Sequence, residues 1–186
     1  TGLLRALVSA GASRAAMGLI VDREAARLAH EAGQGATLTL ALGGRSGIPG
    51  DRPFEAEFTV ETLSDGRFIA TGPYYGGSAL ALGPSACLSI GGVRIAVTSE
   101  KAQLADREMF RFLGIVPEEA GVLVVKSSVH FRADFEPIAE AVIVGLAPGP
   151  MALAAEDLPF TRLADGVRLS PCGTPFRPPA SLRASA

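Results

Sequence analysis

The sequence predicts an α/β (α+β mixed) fold in which βαβ units flank a central antiparallel β-meander. Apolar residues recur with helical spacing at the start of the chain and again after residue 106, which predicts helices in both places. Between them, residues 54–98 alternate apolar and polar side chains, and the Asp65-Gly66 and Gly91-Gly92 pairs predict turns between short strands. With 186 residues, the chain is long enough for one domain with a core.

The first 53 residues predict a helix, a strand, a second helix and a second strand. The first helix has Thr1 as its N-cap and ends at Gly11, and a buried strand follows at residues 14–21. Asp22 is the expected N-cap of a helix that ends before Gly33, and residues 36–42 alternate as a strand does. Strand, helix and strand within about 30 residues predict a βαβ unit.

The rest of the chain predicts a meander followed by a second mixed region. The meander strands are expected at residues 54–63, 68–71, 80–82, 86–90 and 93–98. After it come a helix capped by Asp106, a strand at 121–127, a helix at 131–139 and a strand at 142–146. We expect a domain over residues 1–163 and a divergent, poorly ordered tail over residues 164–186.

Composition and charge exclude several classes of function. Hydrophobic residues make up 48% of the chain and the net charge is −2, so a basic surface for nucleic acid is not expected. No apolar run approaches the roughly 18 residues that a membrane span needs, and no signal-peptide pattern is present, so we expect a cytoplasmic protein without a membrane partner. Cys87 and Cys172 are too far apart in sequence and context to predict a disulfide framework.

The sequence does not predict a metal site of its own. A catalytic zinc ion normally takes three protein ligands, whereas this chain has only His30 and His130, with no neighbouring His or Cys to complete a set. His30 is expected on a solvated face of the second helix. We therefore expect the chain by itself to bind no cofactor and to be inactive.

The candidate functional residues are Lys126, Ser127, Ser128 and His130, where an apolar strand pattern becomes polar. Open α/β sheets bind ligands beyond the carboxyl ends of their strands. With period two, Lys126, Ser128 and His130 share one face, where ammonium, hydroxyl and imidazole groups can donate hydrogen bonds to a carboxylate or an oxyanion.

The same residues allow simpler interpretations. Ser127 or Ser128 can cap the next helix while Lys126 is solvated. An interaction or oligomerisation module is the main alternative function, and an independent Ser-Lys hydrolase is a third. Tyr74 and Tyr75 can form an aromatic contact at the edge of a cleft, or they can be packing residues beside a turn.

Several segments in a fixed order resemble a known family. The Lys-Ser-Ser-x-His-Phe-Arg segment that begins at Lys126 is the most specific of them. In chain order they are residues 1–7, 22–25, 43–47, 63–68, 98–99, Gln103, and residues 106–110, 113–115 and 125–132. Together they resemble the C-terminal domain of the microcystinase C (MlrC) family of metallopeptidases, over about residues 1–163.

This resemblance implies a role within a larger enzyme. In such proteins the zinc ligands lie in a preceding α/β domain, and the family prototype hydrolyses linearised microcystin and related small peptides. The resemblance therefore implies a C-terminal accessory domain that packs on a preceding N-terminal catalytic domain and forms a wall of the cleft for a small peptide. The resemblance is also compatible with a homo-oligomer. The abrupt helical start at Thr1 agrees with the expectation that a preceding part is absent.

Overall fold

The computed structural model describes residues 1–149, 155–160 and 162–177. The chain divides into two compact units, Thr1–Pro148 and Gly149–Ala186. The first unit has a mixed, mostly antiparallel sheet flanked by helices, which confirms the predicted α+β fold class. The predicted domain boundary at residue 163 stays a prediction.

Eight strands form one large sheet and one small one. They are β1 (Ala15–Val21), β2 (Thr37–Leu42), β3 (Phe54–Ser64), β4 (Arg67–Ile69), β5 (Ala79–Ala81), β6 (Ser85–Ile90), β7 (Val93–Thr98) and β8 (Val122–Val125). The six-stranded sheet has the order β2-β3-β6-β7-β1-β8, and β4 pairs with β5 in a separate hairpin. β1 lies parallel to both β7 and β8, whereas the β2-β3, β3-β6 and β6-β7 pairs are antiparallel.

Four α-helices and three 3₁₀ turns complete the described chain. The helices are α1 (Gly2–Ser9), α2 (Arg23–Ala32), α3 (Glu108–Arg111) and α4 (Arg132–Phe135), and the 3₁₀ turns are Pro117–Glu119, Glu136–Ile138 and Ala155–Asp157. α2 has the predicted bounds because the Asp22 carboxylate accepts a hydrogen bond from the Ala25 N–H at 3.1 Å and Gly33 follows the last turn with φ +87°.

Alternating side chains place a core on each face of the large sheet. Ala15 and Met17 of β1 pack into one core with α1 and α2, whereas Ala16 and Leu19 pack into a second core with α3 and α4. Phe58 and Phe110 are the largest fully buried side chains of the first and second core, respectively. β1 is thus covered on both faces, which explains its continuous apolar sequence.

Two predicted strand pairings are wrong. The order β1, α2, β2 is present, but β2 runs antiparallel to β1 and three strands lie between them, so this segment is not a parallel βαβ unit. The parallel crossover instead connects β7 through α3 to β8, with β1 between them. The Asp65-Gly66 turn does not form a hairpin either, because β3 pairs with β6 while β4 pairs with β5.

Two further predictions fail locally. Residues 142–146 do not form a strand, although their sequence is apolar and β-branched. Thr1 precedes α1 but makes no side-chain cap, and its hydroxyl donates to the Arg52 carbonyl at 2.8 Å. That contact holds the loop at residues 43–53 against the start of α1.

In the second unit, the described residues fold back on themselves locally. The Gly166 N–H donates to the Phe176 carbonyl at 3.0 Å, and the Phe176 N–H donates to the Val167 carbonyl at 2.7 Å. Of the tail predicted to be poorly ordered, residues 178–186 lie outside the described residues. Across the described part of the chain, none of the helices has the length and apolar character that a membrane crossing requires.

Candidate functional site

The carboxyl end of β8 carries all four candidate residues. The Lys126 N–H donates to the Gly18 carbonyl of β1 at 2.9 Å, and the chain then turns away from the sheet as the Ser127 N–H donates to the Val125 carbonyl. The strand ends at Val125, so the prediction that Lys126, Ser128 and His130 alternate along one strand face is wrong. They lie instead on the segment that connects β8 to α4.

Ser127 is the anchor of this connecting segment. Its hydroxyl accepts a hydrogen bond from the Gln103 side-chain amide at 2.6 Å and a longer one from the Phe131 N–H at 3.3 Å, just before α4. The prediction that Ser127 or Ser128 caps the next helix is wrong, because the N-cap residue of α4 is Phe131 and no side chain caps that helix. The half-buried Ser127 hydroxyl is already occupied by the protein, which leaves it less free to contact a ligand than its neighbours.

Gln103 joins the anchor to the loop at residues 71–77. Its backbone carbonyl accepts a hydrogen bond from the Tyr75 hydroxyl at 2.8 Å. Burial raises the pKa of Tyr75, so the hydroxyl keeps its proton and can donate it. The sequence indicated Gln103 only through the family resemblance, because an isolated glutamine carries no pattern of its own.

His130 lies against Tyr74 of the same loop. The two ring centroids are 4.4 Å apart with an interplanar angle of 40°, and the Tyr74 ring in turn meets Tyr75 edge-on at 4.8 Å. Both His130 and Tyr74 are exposed to solvent. Tyr74 therefore makes an aromatic contact with His130 that leaves the imidazole exposed, and the placement of the tyrosines at the edge of a cleft stays a prediction.

Buried carboxylates hold the loop at residues 71–77 in place. Asp106 is fully buried, and it accepts hydrogen bonds from the Gly72 N–H at 2.6 Å and from the Glu108 N–H at 2.9 Å. Asp134 accepts from the Arg107 N–H at 2.6 Å and pairs with the Arg107 guanidinium at 3.0 Å. Arg107 also pairs with Glu118, and its side chain is only partly exposed.

Gly72 fits closely between these two carboxylates. A Cβ atom at this position would lie 2.9 Å from an oxygen of Asp106 and 2.8 Å from one of Asp134. The sequence indicated Asp106 as a helix cap, whereas the N-cap residue of α3 is Arg107, and the sequence gave no signal for Asp134, whose partner Arg107 lies 27 residues earlier. The hydrogen bond from Gly72 to Asp106 ties the loop that carries Tyr74 to the residues just before α3.

Lys126 and Ser128 are exposed and form no side-chain hydrogen bond to the described residues. The cluster thus presents an ammonium, a hydroxyl and an imidazole on an open surface. Two surface depressions in the described part of the chain, along the β4–β5 hairpin and beside α2, do not include it.

The described side chains assemble no group of metal ligands. Among the described residues, no group of three or more His, Cys, Asp and Glu side chains is arranged to hold an ion. His30, on α2, has its Nε2 atom 3.0 Å from the Ser85 carbonyl and is remote in sequence from His130. The donor set that three-ligand zinc sites require is therefore not assembled from these residues.

Comparisons with known proteins match most of the chain. The sequence profile of the family described as MlrC C-terminus matches residues 1–162. Microcystinase C from Sphingomonas sp is 30% identical over 141 residues, which cover 76% of this chain and 27% of that protein. A crystal structure from Mesorhizobium sp. BNC1, provisionally described as a metallopeptidase, superposes with a TM-score of 0.71 and 26% identity, over 78% of this chain and 29% of that one.

Proposed function

Since the chain belongs to the MlrC C-terminus family, we propose that it is the accessory, cleft-forming domain of a longer zinc metallopeptidase that hydrolyses small peptides or amides. The chain spans 27% and 29% of the length of the two relatives, so the activity named for them concerns a larger protein. In this proposal the preceding N-terminal domain holds the metal, and the whole protein works in the cytoplasm.

The potential metal ligands of the described residues support the proposal that another domain holds the metal. A peptidase of this type uses its metal to activate water and to polarise the scissile carbonyl. The described residues of this chain offer no three-ligand group for that ion. What they offer instead is a set of hydrogen-bond donors, which suits substrate binding.

The single observation that carries the proposal is the exposed donor group at the carboxyl end of β8. Lys126, Ser128 and His130 project from a segment that Ser127 anchors and that Tyr74 supports. An ammonium, a hydroxyl and an imidazole can orient a substrate carboxylate or carbonyl by charge-assisted hydrogen bonds. Their open surface becomes a wall of a cleft when a second domain faces it.

The test uses the full-length protein with its metal and a panel of short linear peptides. We expect Lys126→Ala, Ser128→Ala and His130→Ala each to lower kcat/KM by about 10- to 100-fold, the size of one lost charge-assisted or neutral hydrogen bond to substrate. The unfolding midpoint should not change. His30→Ala, which removes the other histidine of the chain, is the matched control and should leave kcat/KM as it is.

A second comparison identifies what Lys126 binds. If Lys126 pairs with the substrate carboxyl terminus, Lys126→Ala should impair cleavage of a peptide acid but not of the corresponding C-terminal amide. Equal loss on both peptides would assign Lys126 to a carbonyl instead. Unchanged kinetics in all three alanine variants would contradict the proposed cleft role.

A further inference from the structure

Residues 142–146, Val-Ile-Val-Gly-Leu, form an apolar segment that the first unit leaves uncovered. Ile143 is 89% exposed, Val144 71% and Leu146 70%. No backbone hydrogen bond links residues 140–147 to any other described residue. The segment therefore exposes both its large apolar side chains and its peptide groups to solvent.

This combination is typical of a strand that lacks its sheet. Unpaired N–H and C=O groups flanked by apolar side chains are a template for β-pairing, and proteins usually protect such an edge with charges or proline. Here residues 139–147 contain only one charged residue, Glu140, and no proline. The run is apolar at consecutive positions, which suits a strand that is buried on both faces.

The segment passes beside the first residues of α1. A Cβ atom on Gly145 would lie 3.3 Å from a methyl group of Leu3, and a Cβ atom on Gly2 would lie 2.9 Å from the Cβ atom of Ala147. The family description MlrC C-terminus implies a preceding domain in a longer protein, and a polypeptide that precedes Thr1 reaches this chain at α1. That polypeptide therefore leads directly to the exposed segment.

We propose that residues 142–146 dock as a β-strand on the preceding domain of the full-length protein. The relatives support this occupant, because 27% of one and 29% of the other are covered by this chain, which leaves most of their length for other domains. The proposal rests on the proposed function only in requiring a preceding domain. It does not depend on Lys126, Ser128 or His130.

Hydrogen exchange on the full-length protein tests the docking. If the strand pairs, the amides of residues 142–146 should exchange at least about 100-fold more slowly than in a free peptide, at every protein concentration. Exchange at the free-peptide rate would overturn the proposal. Protection that grows with protein concentration would also overturn it, because the occupant would then be a second copy of the chain.

Photo-cross-linking identifies the occupant. In the full-length protein, p-benzoylphenylalanine in place of Ile143 should link to a peptide from the preceding domain. The same residue in place of Ile69, which is 55% exposed on β4, is the matched control and should give little such product. A link from position 143 to residues 149–186 or to a second chain, or no link at all, would overturn the assignment.

The two proposals can fail independently. If the alanine variants at Lys126, Ser128 and His130 keep full activity while residues 142–146 are protected, the cleft role fails and the docking stands. If those variants lose activity while residues 142–146 exchange freely, the docking fails and the cleft role stands.

Discussion

Ser127 and Ser128 are neighbours in the chain but have different surroundings. The Ser127 hydroxyl accepts hydrogen bonds from Gln103 and from the Phe131 N–H, whereas Ser128 is exposed to solvent. A hydroxyl with two protein partners contributes to folding, while an exposed hydroxyl contributes little and is available to a ligand. The pair therefore places a structural hydroxyl next to one that stays available for the proposed binding role.

Alanine substitutions should reveal this difference in stability. Ser127→Ala should lower the free energy of unfolding by about 1 kcal/mol, because the Gln103 amide and the Phe131 N–H lose their acceptor. Ser128→Ala should change it by less than about 0.5 kcal/mol. Urea denaturation of the 186-residue chain measures both. Equal effects at the two positions would contradict the assignment of Ser127 as the anchor.

The two cysteines should differ in reactivity. Burial, with a smaller contribution from Glu61, raises the pKa of Cys87 to about 12, whereas Cys172 is exposed. At pH 8 we expect iodoacetamide to modify Cys172 and to leave Cys87 intact until denaturant is added, since only the accessible thiolate reacts. Mass spectrometry of the modified peptides measures this, and early modification of Cys87 would contradict its burial.

The shift at Cys87 also predicts a pH dependence with a definite sign. Burial raises the pKa of Cys87 from the ordinary cysteine value of 9.0 to about 12, so between these values the unfolded chain binds fewer protons than the folded one. The free energy of unfolding should therefore fall as pH rises through this window. Cys87→Ala should lose this part of the alkaline dependence, which pH-dependent urea denaturation can detect.

The sequence identified the candidate residues only in part. A change in polarity can be read from neighbouring residues, whereas the residues that contact a candidate side chain can lie far away in the sequence. The change from apolar to polar side chains after Val125 marked Lys126, Ser128 and His130 without any knowledge of the fold. Nothing local linked His130 to Tyr74, which lies 56 residues earlier in the sequence numbering, or Ser127 to Gln103. Hydrogen bonds and ring contacts between distant segments depend on the fold rather than on a periodic pattern.

Among the elements, α3 and α4 are too short to be stable by themselves. Each has four residues, far fewer than the ~12–15 that an isolated helix needs in water. Phe110 of α3 and Phe135 of α4 contact each other edge-on at 6.0 Å in the second core, and Asp134 connects the two helices through Arg107. Packing and this ion pair therefore hold both helices in place.

Removal of the Asp134 carboxylate should loosen this pair of helices. Asp134 is 5% exposed, and Asp134→Ala would leave the Arg107 N–H and guanidinium without this acceptor. We expect a loss of about 2–4 kcal/mol in the free energy of unfolding, within the usual range for one member of a buried, hydrogen-bonded pair. Thermal or urea denaturation measures it.

The matched control is Glu136→Ala, two residues later in the chain. Glu136 forms an exposed pair with Arg132, with half of each side chain in solvent, so its loss should cost less than about 0.5 kcal/mol. Equal losses at Asp134 and Glu136 would show that the buried carboxylate has no special importance.

Element positions were largely predictable, whereas strand partners were not. Asp22 and Gly33 marked both ends of α2, and alternation marked β2, β3, β6 and β7 to within a few residues. The register and order of the strands depend on contacts between distant segments, so the sequence could not show that β1 inserts between β7 and β8. Residues 142–146 have the composition of a strand, but the first unit supplies no neighbour for them.

At the scale of the whole molecule, the first unit combines a sheet covered on both faces with an uncovered segment at its end. The loop at residues 43–53 is also exposed, but Asp51 bonds to Thr1 and Ser46, which restrains it. Residues 140–147 have no comparable hydrogen bonds among the described residues. Local opening is easiest where such bonds are missing.

Limited proteolysis of the 186-residue chain should reflect this difference. Within Thr1–Pro148, we expect elastase to cut first between residues 140 and 147, because an exposed, unbonded backbone fits a protease active site. Peptide mass mapping over time locates the cuts. Earlier cleavage within residues 43–53, or within the β6–β7 hairpin, would contradict the expected order.

The insertion of β1 between β7 and β8 also affects how the chain folds during its synthesis. β1 ends at Val21, yet its partners are residues 93–98 and 122–125, so a growing polypeptide must be extended by about a hundred residues before this strand can pair. Until then the apolar sequence of β1, Ala-Ala-Met-Gly-Leu-Ile-Val, has left the ribosome without the strands that it pairs with. Such distant pairing slows folding and favours aggregation, so nascent chains should depend on chaperones during synthesis.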